Sequence, residues 1–479
     1  MRRESNQPAR CFDTAKTHKF NTIEEINVKD LKLRPIVDQT DTHTYKASKI
    51  ISKYLAPLSH NDYIITDSLM FPSLVKQIPK GDDDEDISYD VVSLFTSIPV
   101  QETIDYILNE IYVNKAIQAF CNKKLIFKHL LEHLTKNCVF SVNNRLIKQI
   151  DGCPMGGSIS GVMAGIFMSK MEKDVMKPPY PIFYKRYVDD IYVRRKKDYP
   201  DILFHDLTNY HENINFTIEN NPDKFLDTTI AFSDNNLITS VVSKENKLPP
   251  HWSSNIPKRY KRNTINGELH RAKKISSDFD KEVNRIRLKY KNAGYPMRFI
   301  NSVINSFVNP TSNTSDFQKD QHRIMINLPY CPENENFAKT FIEKLRVFTQ
   351  NKHQFVVIWK TRKIRSLFPL KDKIDNNLVS DVIYEGLCSC KENYIGETNR
   401  NSIVRWNEHE DIKKTSEPAK HLKTHQAHSH KFEWSRICKA SGNKIKRKIL
   451  ESFFIKIRNP SLNINLDNYQ LKLFHNGVT

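Results

Sequence analysis

Three carboxylates stand within strand-forming runs at two distant points of the chain. Asp189 and Asp190 interrupt YKRYVDDIYV, and Asp90 lies within SYDVVSLF. A charge inside an apolar strand is costly and two adjacent carboxylates repel each other, so these acids need nearby cations. Mg²⁺ prefers oxygen ligands of this kind. Two such ions about 4 Å apart can activate an attacking hydroxyl and stabilise a leaving pyrophosphate, which is the chemistry that extends a nucleic-acid chain.

These acids converge only if the strands that carry them are neighbours in one sheet. Residues Asp86–Phe95 are predicted to form a buried strand. Asp189 and Asp190 fall where a two-residue hairpin loop is expected. The acidic run at residues 82–85 is interpreted as a solvated loop. A YVDD sequence on its own would also suit an acidic turn on the surface.

The surrounding pattern alternates strand-like and helix-like segments up to about residue 240 and is helical and basic from about residue 268. Residues 138–150 indicate a hairpin that turns at Asn143–Asn144. A final compact unit, with two short strands and then helical, His-rich sequence, begins near Asp381. The other predicted elements are helices at 101–112 and 160–176, strands at 213–219 and 236–242, and a basic connector at 359–373.

The composition favours a polyanionic partner in a reducing compartment. Lys and Arg number 74 against 55 Asp and Glu, a formal charge of +19, for which nucleic acid is the leading partner. No apolar run reaches the roughly 18 residues that span a bilayer, and the first residues lack the apolar core of a signal peptide. Six of the eight cysteines are scattered singly, which argues against a disulfide framework.

Four ordered segments resemble the palm motifs of reverse transcriptases: SYDVVSLFTSIP, GCPMGGSISGVMAGIFMSKME, YKRYVDD and FTIE with FLD. AKTHK, LRPIV, NAGYP and the C-terminal unit are similar to Penelope-like retroelements, over roughly residues 11–470. The resemblance implies a mixed α/β and α+β multidomain protein, in which a right-hand polymerase precedes a small α/β GIY-YIG endonuclease. The implied domains are partial fingers and palm at 1–240, a helical basic thumb at 241–350, a connector at 351–378 and the endonuclease at 379–470.

The resemblance also assigns polymerase roles to individual residues. Asp90 and Asp189 would bind two Mg²⁺ ions, with Asp190 beside them. Phe95 matches the aromatic residue under the sugar, which would exclude a 2′-hydroxyl and favour dNTPs; the alternative is a plain core Phe. The other matches are Gly152 and Gly156 for close backbone approach to nucleotide or template, Gln149 for a base-pair contact, Arg34 for the triphosphate, and Lys16 and Lys19 for phosphate contacts or mere surface charge.

The segment VIYEGLCSCKENYIGETNRNSIVRWNEH resembles a GIY-YIG endonuclease core. In that chemistry a Tyr or His helps to deprotonate water, an Arg stabilises the phosphoryl charge, and a carboxylate holds one Mg²⁺. Arg405 and His409, four residues apart, would share one helix face. The alternative is a pair of core tyrosines beside a surface Arg–His helix. The matching residues are Tyr384, Tyr394 with Ile395 and Gly396, Arg405, His409, Glu451, and Asn463 or else Asn465.

Cys388 and Cys390 lie between the two triplets, and HLKTHQAHSHKF follows with four histidines. Cys and His in this proportion can form a tetrahedral Zn²⁺ site. Penelope-like endonucleases carry such a Cys pair and downstream histidines, and His421 and His430 are the favoured partners over His425 and His428. The alternative is free thiols beside a solvated His tract.

The resemblance therefore implies a reverse transcriptase whose endonuclease nicks chromosomal DNA to supply the primer. The expected partners are an RNA template, a DNA primer, target DNA and dNTPs, with no membrane and with the oligomeric state open. Synthesis in the cytoplasm and action in the nucleus are expected. Two departures support alternatives: GSISG replaces a proline-containing loop, and the region normally upstream of FDTAKTHK is short. A catalytically impaired nucleic-acid-binding relic with truncated fingers, or an enzyme with one active module, would also fit.

Overall fold

The computed structural model describes residues 8–15, 33–40, 42–142, 145–176, 181–198, 201–233, 236–242, 248–310, 323–350, 353–361, 375, 378–425, 430–440 and 443–463. Lys16, Lys19, the Asn143–Asn144 turn, His428 and Asn465 lie outside these residues. Among the described residues, no helix combines the length and apolarity needed to cross a bilayer.

The strands and helices are numbered in chain order. The strands are β1 (Ala9–Ala15), β2 (Leu33–Asp38), β3 (Asp84–Val91), β4 (Val139–Val142), β5 (Arg145–Lys148), β6 (Phe183–Tyr187), β7 (Asp190–Lys196), β8 (Phe216–Asn220), β9 (Lys224–Phe225), β10 (Thr228–Ser233), β11 (Asn236–Val241), β12 (Arg323–Pro329), β13 (Gln354–Lys360), β14 (Val382–Cys388), β15 (Asn393–Thr398) and β16 (Phe432–Lys439). The helices are α1 (Tyr45–Leu55), α2 (Phe71–Lys76), α3 (Leu94–Ser97), α4 (Val100–Tyr112), α5 (Lys124–Lys136), α6 (Ser160–Val175), α7 (Ile202–Thr208), α8 (Lys258–Ile275), α9 (Phe279–Asn292), α10 (Met297–Val308), α11 (Asn334–Phe348), α12 (Ser402–Glu410), α13 (Glu417–Thr424) and α14 (Lys444–Arg458).

The chain divides into two compact units, each assembled from separate segments. The first unit comprises residues 1–60, 93–173 and 369–479, and the second comprises residues 61–92 and 174–368. The three carboxylates belong to the second unit, whereas the C-terminal cluster of Tyr, Arg, His and Glu residues belongs to the first. The domain limits at residues 240, 350 and 378 stay predictions.

In the second unit an antiparallel sheet of order β6-β7-β3-β8 carries the acids. Ile87, Tyr89 and Val91 on β3 are buried while Asp90 is exposed, following the two-residue period of a strand. The strand expected to reach Phe95 stops at Val91 because Ser93 adopts a left-handed φ of 55°.

The basic region that follows begins as a three-helix bundle of α8, α9 and α10. Its core includes Ile265, Leu269, Ile286 and Ile300, each fully buried, and each such side chain contributes roughly 1.5–3 kcal/mol by leaving water. The Asp278 carboxylate caps α9 by accepting from the Lys281 backbone N–H at 2.9 Å. The helical prediction holds for this part of the chain.

The next segment differs from the prediction because it is not helical throughout. β12 pairs in parallel with β13, and α11 forms the crossover between them. Strand β13, at Gln354–Lys360, occupies sequence that was assigned to a connector. Its run QFVVIWK has the β-branched and aromatic composition of a strand, and the flanking basic residues obscured that signal.

In the first unit, α1, α4, α5 and α6 pack around one apolar core, and the predicted faces of α4 and α6 are buried in it. The predicted hairpin is confirmed, since β4 pairs antiparallel with β5 in a sheet of order β2-β1-β4-β5. The C-terminal segment forms a sheet of order β15-β14-β16 with α12, α13 and α14. Its third strand, β16, was not predicted.

Candidate functional site

Asp90 and Asp190 lie directly opposite each other on β3 and β7. Opposed Cβ atoms in an antiparallel pair are about 4.5–5.5 Å apart and point to one face of the sheet. Asp189 immediately precedes Asp190, and its carbonyl accepts a hydrogen bond from the Val91 N–H at 3.2 Å. The fold thus gathers the three carboxylates that the sequence carries in separate segments.

The acids occupy a different part of the hairpin from the one expected. Tyr187 at the end of β6 pairs with Asp190 at the start of β7, so the two-residue loop is Val188–Asp189. φ is positive at Val188, at 58°, but not at Asp189. This arrangement is typical of a type II′ turn, which favours glycine at its first loop position. A β-branched residue there stores strain of about 1–3 kcal/mol.

Arg186 supports this turn through a buried side chain, which is 2% exposed. Its Nη1 donates to the Val188 carbonyl at 3.1 Å. The Arg186 N–H donates to the Tyr63 carbonyl at 2.8 Å, and the Arg186 carbonyl accepts from the Ile65 N–H at 2.8 Å. A hydrogen bond from a charged group contributes about 1.5–3 kcal/mol, which is comparable with the strain at Val188. Sequence reasoning missed Arg186, whose only signal is a charge at an inward position of a strand.

The surroundings of Asp190 change the pKa of its carboxyl. The pKa of Asp190 is raised to about 6, first by burial and then by the neighbouring carboxylates of Asp189 and Asp90. The expectation that Asp90 is the buried acid is wrong: Asp90 is exposed and Asp190 is partly buried. Carboxylate oxygens are the donors that hard divalent cations such as Mg²⁺ prefer.

Asp82 and Asp83 are exposed in a turn, as expected, whereas the acids at the beginning of β3 are structural rather than part of a solvated loop. Asp84 is 4% exposed, and its carboxylate lies 2.6 Å from Lys196 Nζ. Asp86 accepts from Arg194 Nε at 2.7 Å and lies 2.9 Å from Lys80 Nζ. Asp86 and Arg194 are both buried, and removing one partner of such a pair costs about 3–5 kcal/mol. These pairs therefore fix β3 against β7 and with it the position of the catalytic candidates.

Several expected nucleotide-binding residues belong to the first unit. Gly152 and Gly156 have φ values of 67° and 100°. A Cβ on Gly152 would lie 2.2 Å from the Thr96 carbonyl oxygen, and one on Gly156 would lie 2.8 Å from that of Val37. Both glycines are therefore required by close approach of the protein's own backbone. Their contact with nucleotide or template stays a prediction.

Phe95, Arg34 and Gln149 are the other three residues expected to bind nucleotide. Phe95 is half-buried in α3, and its carbonyl accepts from the Cys153 N–H at 2.7 Å. Arg34 is exposed on β2, where a guanidinium can bind a phosphate. Gln149 follows β5, and its Nε2 donates to the Asp151 carbonyl at 2.9 Å. Their roles with nucleotide also stay predictions.

A groove between α8 and α10 presents cations beside aromatic rings. Arg262 lies over the Phe299 ring at 5.7 Å, and Lys273 lies over the Phe307 ring at 5.9 Å. The His270 ring meets Phe307 edge-on at 4.7 Å. The groove encloses about 380 Å³ and is lined by Arg262, Asn266, His270, Lys273, Val303, Ser306, Phe307 and Pro310, with no acid among them. Elsewhere on the bundle cations pair with acids, as in Arg271 with Asp227 and Lys289 with Glu268.

In the C-terminal segment, Tyr384 and His409 form a buried pair. The phenol oxygen lies 2.7 Å from His409 Nε2, and both side chains are fully buried. Burial lowers the pKa of His409 to about 3, and the Arg405 charge acts in the same direction, so the imidazole is neutral at physiological pH. Gly396 pairs with Tyr384 across β15 and β14, and a Cβ on it would lie 2.5 Å from the phenol oxygen. The glycine of the second triplet therefore makes room for Tyr384.

Arg405 lies on α12 with His409. Its Nη1 donates to Glu408 at 3.0 Å, and Arg400 donates twice to the same carboxylate at 2.6 Å. The hydrogen bonds from Arg400 and then from Arg405 lower the pKa of Glu408 to about 2. The Arg405 side chain is 32% exposed, so it is oriented by Glu408 and still accessible to an anion. Sequence reasoning missed Glu408, although an acid three residues after an Arg on a helix is a detectable signal.

Glu451 and Asn463 lie near the second triplet. Burial raises the pKa of Glu451, although Lys448 at 3.5 Å opposes this. Burial and then the Glu451 carboxylate raise the pKa of Tyr394 to about 12. Asn463 bonds to the Ile395 backbone in both directions, accepting from the N–H at 2.9 Å and donating to the carbonyl at 2.8 Å. Asn463 thus fixes β15 at its open edge.

The four favoured zinc ligands come together, with every ligand atom within 4.8 Å of the others. Cys388 Sγ lies 3.7 Å from His430 Nδ1, and Cys390 Sγ lies 3.3 Å from His421 Nε2. Ordinary Zn–S and Zn–N bonds at a tetrahedral angle place sulfur and nitrogen roughly 3.6 Å apart. The donor types and their spacing therefore fit a structural Zn²⁺ ion.

A family model described as an animal helix-turn-helix domain matches residues 250–305, which contain α8, α9 and most of α10. No curated protein sequence matches the chain.

Solved structures similar to this chain include telomerases and viral RNA-dependent RNA polymerases. A telomerase from Candida albicans, in complex with a TWJ fragment of telomeric RNA, is 11% identical with a TM-score of 0.41, and the alignment covers 64% of this chain and 60% of that one. The Sicinivirus 3Dpol RNA-dependent RNA polymerase is 12% identical with a TM-score of 0.38, covering 64% and 69%. The chain thus spans about 60% of the length of the Candida telomerase.

Proposed function

We propose that this chain is an RNA-directed DNA polymerase of the type found in Penelope-like retroelements. The observation that supports it most is the pairing of β3 with β7, which sets Asp90 opposite Asp190 with Asp189 in the adjoining loop. The order of the four palm-like segments along the chain agrees with this function. Burial first, and then repulsion from Asp189 and Asp90, raise the pKa of Asp190, which agrees with a carboxylate cluster that binds a metal.

In this proposal Asp90 and Asp189 are the metal ligands and Asp190 lies beside them. Two bound Mg²⁺ ions supply activation of the primer 3′-hydroxyl and stabilisation of the leaving pyrophosphate. The chain's own contribution is to hold the carboxylates in a fixed geometry. Arg186 and the buried pairs of Asp84 and Asp86 perform that task from behind the sheet.

The decisive experiment is extension of an annealed DNA primer on an RNA template by the purified chain with dNTPs and Mg²⁺. Asp189→Asn should lower incorporation by several orders of magnitude while RNA binding is retained. Asp223→Asn, an exposed acid in the same unit, is the matched control and should extend normally. Incorporation by Asp189→Asn at the normal rate would refute the assignment.

A second proposed function is a GIY-YIG endonuclease in the C-terminal segment, favoured by the Tyr384–His409 hydrogen bond beside Arg405. Tyr384 would accept the proton of the attacking water while its own phenolic proton passes to Nε2 of the neutral His409, and Arg405 would stabilise the phosphoryl charge. Glu451 would hold one Mg²⁺, while Cys388, Cys390, His421 and His430 would hold a structural Zn²⁺.

Together the two activities would nick chromosomal DNA and extend its 3′-hydroxyl along the element RNA. The proposed substrates are RNA template, DNA primer, target DNA and dNTPs, and the proposed site of action is the nucleus. Binding of RNA without extension would instead favour a catalytically impaired relic. Extension without nicking, or nicking without extension, would leave one active module.

A further inference from the structure

A column of rings runs from the cysteine–histidine cluster to the Tyr384–His409 pair. The Phe432 ring lies 5.9 Å from that of His421 and 5.1 Å from that of Trp434. Trp434 in turn stacks on His409 at 5.4 Å with an interplanar angle of 22°. Phe432 and Trp434 are alternate residues of β16 and share a face. The rings of Phe432 and Trp434 thus connect His421, a candidate metal ligand, to the buried imidazole of His409.

Trp434 is held on several sides. Gly386 lies opposite it on β14, and a Cβ there would come within 2.3 Å of the indole ring. Trp406 lies nearly parallel to it at 6.2 Å. The indole N–H donates to Glu410, the neighbour of His409 on α12, at 2.7 Å. The indole therefore has one well-defined position against the end of α12.

The orientation of His409 depends on this stacking. One ring nitrogen, Nε2, bonds to Tyr384. The other, Nδ1, is buried and has no hydrogen-bond partner among the residues that the structure describes. A functional histidine is usually oriented by a hydrogen bond at its second nitrogen. Here the Trp434 ring supplies the orientation instead.

We propose that Trp434 is a positioning residue for phosphodiester cleavage and that it transmits the state of the cysteine–histidine cluster to His409. His430 lies two residues before Phe432, so a metal bound by His421 and His430 fixes the beginning of β16. Metal loss releases that end, moves the indole and tilts the imidazole away from Tyr384. The inference rests on the proposed nuclease and on the proposed zinc site. In it the zinc affects cleavage through the position of Trp434 and His409, without contacting the cleaved phosphate.

The first test uses the full chain with 5-fluorotryptophan at its 4 tryptophans. The Trp434 signal in the ¹⁹F NMR spectrum is assigned with Trp434→Phe. Removal of zinc by a chelator should shift this signal, and added zinc should restore it, while the signals of Trp252 and Trp359 stay in place. A Trp434 signal that does not shift when zinc is removed would refute the coupling between the zinc site and Trp434, whether or not the chain nicks DNA.

The second test compares nicking of supercoiled plasmid with zinc content. Trp434→Leu should keep its zinc but nick about 10- to 100-fold more slowly, because the imidazole is misplaced. Trp434→Phe, which keeps an aromatic face, should recover most of the rate, and Trp359→Leu should be normal. Normal nicking by zinc-loaded Trp434→Leu would refute the positioning role. Absence of nicking by the unmodified, zinc-loaded chain would instead refute the nuclease function and leave the NMR result to decide the coupling.

Discussion

The Arg186 guanidinium donates a hydrogen bond to the carbonyl of Val188, the residue that precedes Asp189. Without this bond the strained loop can relax and the Asp189 carboxylate moves. Arg186→Met should therefore reduce primer extension by about 100-fold, because the loop that carries Asp189 is displaced. Lys185→Met, which changes the half-buried neighbour on β6, is the control. A folded Arg186→Met variant with normal extension would show that the bond is dispensable.

Metal binding by the carboxylate cluster should depend on pH. The pKa of Asp190 is raised to about 6 from 3.8, so in the metal-free protein this group holds a proton at pH 5 and loses it by pH 7. Ionisation disfavours the folded state, so metal-free stability should fall as pH rises from about 4 to 6, and Mg²⁺ affinity should rise over the upper part of that window. Calorimetric titration at several pH values measures both the affinity and the released proton. In Asp190→Asn the affinity should be low and nearly independent of pH.

The acid cluster could be predicted from sequence because its chemistry is carried by residue types in a fixed order along the chain. The strand pairing that joins Asp90 to Asp190 needed only the expectation that the two strands are neighbours. The loop position was wrong by one residue, because turn statistics do not anticipate a valine at positive φ. The role of Arg186 could not be predicted from the sequence, because it depends on the burial of the side chain behind the loop.

At the C-terminal sites, too, some functional residues could be predicted from the sequence and others could not. Residue type together with the resemblance to Penelope-like endonucleases favoured His421 and His430 as partners of the Cys pair, and the four ligand atoms do converge. Trp434 could not be selected, because its role depends on β16, a strand that the His-rich context concealed. Gly386 likewise has meaning only once the strand opposite it is known.

The groove between α8 and α10 should bind the phosphate backbone of a nucleic acid. The double variant Arg262→Ala/Lys273→Ala should weaken binding of an RNA–DNA duplex and reduce the slope of log K against log salt by about two. Fluorescence anisotropy at several salt concentrations gives that slope. The double variant Lys281→Ala/Lys291→Ala removes the same charge from α9 and should change the slope less. Equal effects of the two double variants would mean that only the net charge matters.

The cysteine–histidine cluster should hold one zinc ion per chain. Cys388→Ser removes a thiolate ligand, so bound zinc should fall towards zero and the melting temperature of the C-terminal segment should drop, since structural zinc contributes folding free energy directly. Elemental analysis measures the metal. Cys331→Ser removes a cysteine outside the cluster and should leave zinc unchanged. A well-folded unmodified chain without zinc would contradict the site.

The two proposed active sites should be separable. Arg405→Ala and Glu451→Ala should each abolish nicking of supercoiled plasmid, because the phosphoryl charge or the metal is no longer held. Neither should slow extension of a primer supplied ready-made. Glu433→Ala, an exposed acid on β16, is the control for nicking. Loss of both activities in a folded variant would contradict independent sites, and retained nicking would remove these residues from the nuclease.

The sheet that carries the acids is assembled from strands far apart in the chain, and this has a consequence for biosynthesis. On the ribosome β3 emerges well before β7 and β8, the only two strands that pair with it in the described sheet. At roughly 5–20 residues per second, the intervening chain takes on the order of ten seconds to make. Throughout that interval Ile87, Tyr89 and Val91 lack their native cover and both edges of β3 are open to other chains. The order of the strands along the chain therefore exposes β3 to aggregation during synthesis until β7 and then β8 are available to pair with it.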